Sequence, residues 1–468
     1  MRIPERVVGF VLLDGEKIPF ELDKECFELR LYQPKPQDLM VTITQGLEAF
    51  CVDTKEHKWI DKLILEGNTS EGYHIFLGTS DKPANYNGYK TYSIDWYYIT
   101  DKEIGDVIQV RFSGQDVNRF YNPGRAFQEK IKYRKSEYVS VEAIKVETNV
   151  CTPLDCGKYS FNDNQITVSC NCYATIHHDS ITPLEAESFL KLSLSKQVTL
   201  DELVELAQNV RYLLKYVSYR MNADVAVIST YRQYKDTMTT MCGILAIKPD
   251  EEEMDIKKAS TRIIKAEFLN EHISDLLSLI KEQKLPFGHY CQSIKGRSSY
   301  STSRIIMIMA AIEREFREVY GQDVNRSNNY LNTKEEVLQL LEGLASTKSG
   351  NCRKYVNNFI KGIRNSDSSY GANFKYALND CKSIMEPFVT RSFEGTYAEI
   401  IGEVSERVNT LRNGIAHSRL DFVMEACNME DIKFAEEMLY VIRLKKLGLD
   451  DQTIRRAIDD LFDEKMGF

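Results

Sequence analysis

The spacing of hydrophobic and polar residues changes period along this chain, and the change divides it. Up to about Glu147 the apolar residues fall in short alternating runs separated by turn residues, the pattern of half-buried strands. Residues 7–13 and 18–22, joined through Asp14-Gly15, read as a hairpin, because Asp-Gly accepts the positive φ angles of a tight reversal. Residues 29–32, 40–44, 73–77, 92–99 and 107–112 continue the series. The expectation for 1–147 is a β-rich domain, an antiparallel sandwich or open barrel, whose many tyrosines suit a wet recognition face or, the simpler reading, ordinary strand aromatics.

A second segment, 148–258, mixes both periods. Ile166, Val168, Cys170, Cys172, Ala174 and Ile176 alternate, which places them on one face of a sheet, and Leu190, Leu192 and Leu194 repeat that spacing. Thr199-x-x-Glu202 is a capping box that opens a helix whose stripe is Leu203, Leu206, Val210, Leu213, Leu214 and Val217. Strands are expected again at 225–229 and 244–247, and Glu251-Glu252-Glu253 marks a boundary.

From 259 to 468 the period is helical throughout, which predicts an α-helical bundle and an α+β multidomain chain overall. Helices are expected at 268–281, at 303–320, after a cap at Thr333-x-x-Glu336 in a helix carrying Val337, Leu340, Leu341 and Leu344, through Tyr355, Val356, Phe359, Ile360 and Ile363, and at 374–385 before Pro387. Tyr397, Ile400, Ile401, Val404, Val408, Leu411 and Ile415 form one continuous apolar stripe, and 431–447 and 451–462 complete the set.

Composition narrows the function. The chain has 468 residues, 28% of them charged, and a net charge of −9, so its long-range field repels phosphate and any nucleic-acid site must be a local cationic patch. The first residues lack a hydrophobic signal core, and the longest strong apolar run, 305–312, is too short to cross a bilayer; the expectation is a cytoplasmic protein with no membrane partner. Eleven scattered cysteines then read as reduced thiols.

Chemistry concentrates at the end of the long apolar helix, in Arg412-Asn413-Gly414-Ile415-Ala416-His417. A guanidinium offers paired donors to phosphate oxygens, and an imidazole titrating near neutrality can move protons to or from a ribose 2′-hydroxyl. At about 100° per residue, five positions separate Arg412 and His417 by about 140°, so they leave opposite flanks of the stripe. Two copies about a two-fold axis would gather both pairs into one cleft. With seven histidines in the chain, Arg-x4-His arises easily by chance, and the competing reading is a solvated arginine beside a helix-end histidine.

Glu313 lies at the edge of its helix's apolar stripe, where an acid needs a cation; Arg412 is the candidate partner, and a local pair with Arg317 competes. Arg353, Lys361 and Arg364 fall within about 80° on one helix and, with Arg419, are the candidates for RNA contact, against the simpler reading of a solvated face. Cys151, Cys156, Cys170 and Cys172, followed by His177 and His178, invite zinc, but neither pair has the two-residue gap of a zinc knuckle, and alternation already explains Cys170 and Cys172. No cofactor is expected: phosphate-loop, His-Glu-x-x-His and dinucleotide glycine motifs are missing.

Taken together, the Val8-Gly9-Phe10 hairpin, the helix at 203–219 with its following strand, Ala311-Ile312-Glu313 and the Arg412-to-His417 hexamer resemble ApeA-type HEPN proteins, bacterial anti-phage factors with a β-rich N-terminal region and a C-terminal HEPN helical domain. The resemblance implies a metal-independent endoribonuclease acting on RNA, with the tRNA anticodon loop as target, in abortive infection. It implies a homodimer through the HEPN domain, open to further assembly, and a phage-encoded trigger. His417 would be general acid or base, Arg412 would hold the scissile phosphate, Asn413 would position the pair or the RNA, and Glu313 would orient them. The alternative is a non-catalytic HEPN dimerisation module in a defence or regulatory complex.

Overall fold

The computed structural model describes residues 4–13, 15–32, 63–79, 84–86, 89–101, 106–134, 140–177, 181, 184–235, 238–321, 324, 326–364, 369–416 and 426–468. The strand expected at 40–44, His417 and Arg419 lie outside these residues. Two compact units form: Met1–Ile256 with Lys265–Glu282, and Lys257–Ile264 with Gln283–Phe468.

The first unit begins with β1 (Arg6–Leu13), β2 (Glu16–Asp23), β3 (Glu28–Tyr32), β4 (Leu63–Thr69), β5 (His74–Thr79), β6 (Ala84–Tyr86) and β7 (Tyr89–Thr100). Strand order β7-β3-β2-β1-β4-β5, with β5 pairing back onto β7, closes a six-stranded antiparallel barrel. This is the closed form of the expected sandwich or open barrel. Alternation along β1 puts Val7 and Val11 inside, where they meet Phe20, Leu22, Leu29, Leu31, Leu65, Ile75, Leu77, Ile94 and Ile99. A Cβ on Gly9 would lie 2.1 Å from the Asn68 carbonyl oxygen, and one on Gly67 2.2 Å from that of Phe10, so the β1–β4 crossing needs both glycines.

The strand β7 is long enough to serve two neighbours on one edge: residues 89–93 pair with β3 and 96–100 with a strand of the second segment. There the sheet leaves the barrel and continues through β8 (Val107–Ser113), β11 (Leu154–Phe161), β12 (Asn164–Ile176), β13 (Leu184–Leu194), β14 (Val227–Lys235) and β15 (Met238–Ile247), while β9 (Phe127–Arg134) and β10 (Ser140–Thr148) form a separate ribbon. Segments 1–147 and 148–258 therefore share one sheet and one compact unit, not two, because β7 pairs with β15 and β8 with both β13 and β14.

Helices of this unit include α1 (Gln115–Phe120), α2 (Leu200–Ser218) and α3 (His272–Lys281). The predicted capping box opens α2, with Thr199 and Glu202 bonded reciprocally. The period of 268–281 places it with the bundle; α3 instead packs on β11 and α2 and buries Ile273, Leu276, Leu277 and Ile280 there. The helical unit is thus 257–264 with 283–468, a shift from the expected start at 259.

The second unit contains α4 (Thr302–Tyr320), α5 (Asn328–Thr347), α6 (Gly350–Arg364), α7 (Tyr370–Asp380), α8 (Lys382–Ser392), α9 (Tyr397–Ala416), α10 (Ala426–Leu447) and α11 (Asp451–Phe462). The cap of α5 is Ser327, whose hydroxyl accepts from the Tyr330 N–H at 3.2 Å; Thr333 lies inside the helix and bonds the Asn329 carbonyl. Pro387 falls inside α8, not after its predecessor, since the chain breaks at Cys381 and restarts. Ion pairs tie the bundle: Arg443 of α10 donates to Glu315 of α4 at 3.0 Å, and Arg304 meets Glu436 at 2.7 Å. Among the described residues no helix is long and apolar enough to cross a membrane.

Candidate functional site

The long helix α9 starts at a second capping box: Thr396 and Glu399 bond each other's backbone and side chain. Its predicted stripe is buried from Tyr397 to Leu411, with Ile401, Val404, Val408 and Leu411 each 1% exposed or less, while Ile415 is half-buried. Each such side chain contributes about 1.5–3 kcal/mol by leaving water, which fixes the rotation of the helix and so the direction of what lies off the stripe. A two-pronged ion pair fixes it further: Arg407 Nε and Nη2 donate to the two oxygens of Asp431 on α10, both at 2.8 Å, with Asp431 fully buried.

One turn on, Arg412 points to α4. Its Nη2 donates to Glu313 Oε1 at 3.1 Å and its Nη1 to Asn413 Oδ1 at 3.2 Å. Glu313 meets the cation its position demanded, and it is Arg412. The two contacts engage two of the five guanidinium N–H groups, and the Arg412 side chain is 38% exposed. The guanidinium is therefore held in place with an edge open to solvent, a geometry that can receive an oxyanion.

Beside this pair lies a group the sequence reading did not single out. Tyr370, the first residue of α7, is 6% exposed, and its hydroxyl has no hydrogen-bond partner among the described residues. Burial pushes its phenol well above the ordinary value; the Glu313 charge adds to that and Arg412 opposes it. The phenol is neutral and a donor at any physiological pH. Close helix packing sets it there: a Cβ on Gly371 would meet the Ser405 carbonyl oxygen at 2.7 Å, and the Gly371 N–H donates to Asn409 Oδ1. No period or motif marks a tyrosine of this kind in advance; its signal is the small residue that follows it.

The structure thus brings together Arg412, Asn413 and Glu313. Arg353, Lys361 and Arg364 sit elsewhere, exposed on α6, with Arg364 paired to Glu342 on α5; no described hydrogen bond or ion pair joins them to Arg412. The thiols form two separate couples, Cys172 with Cys151 at 3.1 Å and Cys156 with Cys170 at 3.6 Å. Burial and the neighbouring Cys151 push Cys172 up to about 12, so it stays a thiol. His177 faces Glu185 at 3.0 Å, and among the described residues no group of three or more His, Cys, Asp or Glu converges as a metal would require. A search of family models and of curated proteins finds no match for this chain.

Proposed function

We propose that the helical unit is a metal-independent HEPN-type endoribonuclease of ApeA kind, that its target is RNA of the tRNA class, and that it acts in anti-phage defence while the β-rich unit senses or restrains it. The observation that carries the reading is the Arg412–Glu313 pair, which holds a half-exposed guanidinium in a fixed orientation five residues before His417 in sequence. Arg412 binds the non-bridging oxygens of the scissile phosphate. His417 takes the proton of the ribose 2′-hydroxyl, whose oxygen attacks phosphorus, or returns a proton to the departing 5′-oxygen; with one histidine per copy, two copies divide these roles. The products are a 2′,3′-cyclic phosphate and a 5′-hydroxyl end, and no water is consumed. Asn413 and Glu313 orient Arg412 and do not touch the reacting atoms.

One observation favours a second reading, a non-catalytic dimerisation module: Glu313 already balances the charge of Arg412, which lowers the guanidinium's attraction for phosphate. The readings part in one experiment. Purified protein is incubated with tRNA in EDTA, beside the His417→Ala variant, and the ends are mapped. A nuclease yields cyclic-phosphate fragments that the variant does not; the module yields none from either, with or without phage lysate.

A further inference from the structure

The sheet through β12, β13, β8 and β14 has two unlike faces. On one, Cys170, Leu190, Val110, Phe112 and Ile228 are buried. Alternation sends Ser169, Lys191, Arg111, Ser229 and Tyr231 to the other, where each is half-buried. Register sets Arg111 on β8 directly opposite Lys191 on β13. The Cβ atoms of such a pair lie about 4.5–5.5 Å apart, and like charges there repel. The chain has 69 acidic residues, yet among the described residues no carboxylate forms an ion pair with either cation.

Arg111 is nonetheless fixed. Its guanidinium carbon stands over two rings, 4.1 Å from the centroid of Tyr231 and 4.9 Å from that of Phe189. Gln109, buried beside it with its amide oxygen turned toward the guanidinium, accepts from Arg111 Nη2 at 3.0 Å and from Nε. Two of the five N–H groups are thereby engaged, and the Nη1–Nη2 edge keeps a donor on each nitrogen with no partner among the described residues. Ser169, opposite Lys191 on β12, likewise has a buried hydroxyl without a partner among the described residues.

We infer that Arg111 and Lys191 bind the phosphate group of a small phosphorylated molecule on this sheet face. Charge selects the occupant. A phosphate monoester carries about −1.5 to −2 at neutral pH, which two cations balance, whereas a carboxylate leaves one of them unanswered. Shape agrees with charge: the Nη1–Nη2 fork takes two oxygens as a bidentate pair and leaves a third for the Lys191 ammonium. Two cations make too short a patch for a nucleic-acid strand, which needs several phosphate contacts to overcome the field of a chain with net charge −9. A free nucleotide and inorganic phosphate present the same group, and the test separates them.

This site stands whether or not Arg412 is catalytic, and the full chain is tested as Arg412→Ala so that the proposed cleavage site takes no part. Titration calorimetry at low ionic strength uses sodium phosphate, AMP, adenosine and acetate. The expected result is one phosphate or AMP per chain, with adenosine and acetate weaker by at least about tenfold. AMP tighter than phosphate identifies a nucleotide as the source; equal or weaker AMP identifies the free ion. Lys191→Gln and Arg111→Lys are added singly, each first shown to keep its melting temperature. Each is expected to weaken phosphate and AMP by at least about tenfold, and since Arg111→Lys keeps the charge, its loss reports the fork. AMP affinity should also fall as pH drops below about 6, where the dianion takes up a proton. No detectable binding of phosphate or AMP, acetate bound as tightly as phosphate, or binding that survives in both variants overturns the proposal.

Discussion

Arg412 Nη2 lies 3.1 Å from Glu313 Oε1, a contact between residues 99 positions apart that joins α9 to α4. Both side chains keep some exposure, 38% and 28%, so water screens the pair and its share of stability is small. What it fixes is direction. A guanidinium on an unrestrained side chain samples many rotamers; one tethered to a carboxylate across a helix interface presents the same edge each time.

That division between stability and orientation gives the first prediction. Glu313→Gln is expected to change unfolding free energy by less than about 1 kcal/mol while lowering RNA cleavage by about 10–100-fold. Urea melts and initial cleavage rates, measured on the same preparation, check it. A variant that cleaves at the wild-type rate removes the positioning role.

Asp431 presents the opposite case. It is fully buried and accepts two hydrogen bonds from Arg407, so Asp431→Ala removes the buried carboxylate to which Arg407 donates across the α9–α10 contact. Arg407 is 29% exposed, which moderates the loss to about 2–4 kcal/mol. Equilibrium denaturation measures it, and a change below about 1 kcal/mol would contradict the clamp assigned to this pair.

His289 makes the helical unit acid-sensitive. Burial, with Arg304 alongside, holds its imidazole down to about 3, while in the unfolded chain it titrates near 6.5. Below about pH 6.5 the unfolded chain takes up a proton that the fold refuses, so stability falls as pH drops from there toward 3, by on the order of 3 kcal/mol at about pH 4. Melting curves taken across that window should show a smaller acid loss in His289→Leu than in the wild type. Parallel curves would show that the histidine is not excluded from protonation.

The barrel offers a test of closure. In Gly67→Ala the new methyl would sit 2.2 Å from the Phe10 carbonyl oxygen, which backbone can relieve only by parting β1 from β4. A loss of about 2–3 kcal/mol is expected from such overpacking, read by tyrosine fluorescence during denaturation. Tolerance of the methyl would mean that the strands cross less tightly than described.

The sequence makes some of this legible and not the rest, for physical reasons. Period identified the strands β1, β2 and β12 and the stripe of α9 from Tyr397 to Leu411, because each pattern reports on burial of the element itself, and the motif Thr199-x-x-Glu202 identified the start of α2. The partner of Glu313 was readable because an acid at the edge of an apolar stripe has few alternatives to a nearby cation. Closure of the barrel was not, since it depends on β7 pairing with both β3 and β5, a property of register and not of any one strand. The apolar stripes of α5 and α6 are legible from period, and Leu340, Leu344, Tyr355 and Phe359 on them face outward: periodicity says that a side is apolar, never what covers it. Helix α3 packs in the first unit for a related reason, as its period carries no address.

The central claim, that Arg412 and His417 cleave RNA, is tested most directly by incubating the full chain with tRNA in EDTA beside Arg412→Ala and His417→Ala, each shown by circular dichroism to be folded. The account predicts fragments ending in 2′,3′-cyclic phosphate and 5′-hydroxyl from the wild type, and a loss of at least about 100-fold in both variants. Equal cleavage by either variant, or intact tRNA from the wild type with and without phage lysate, would contradict it.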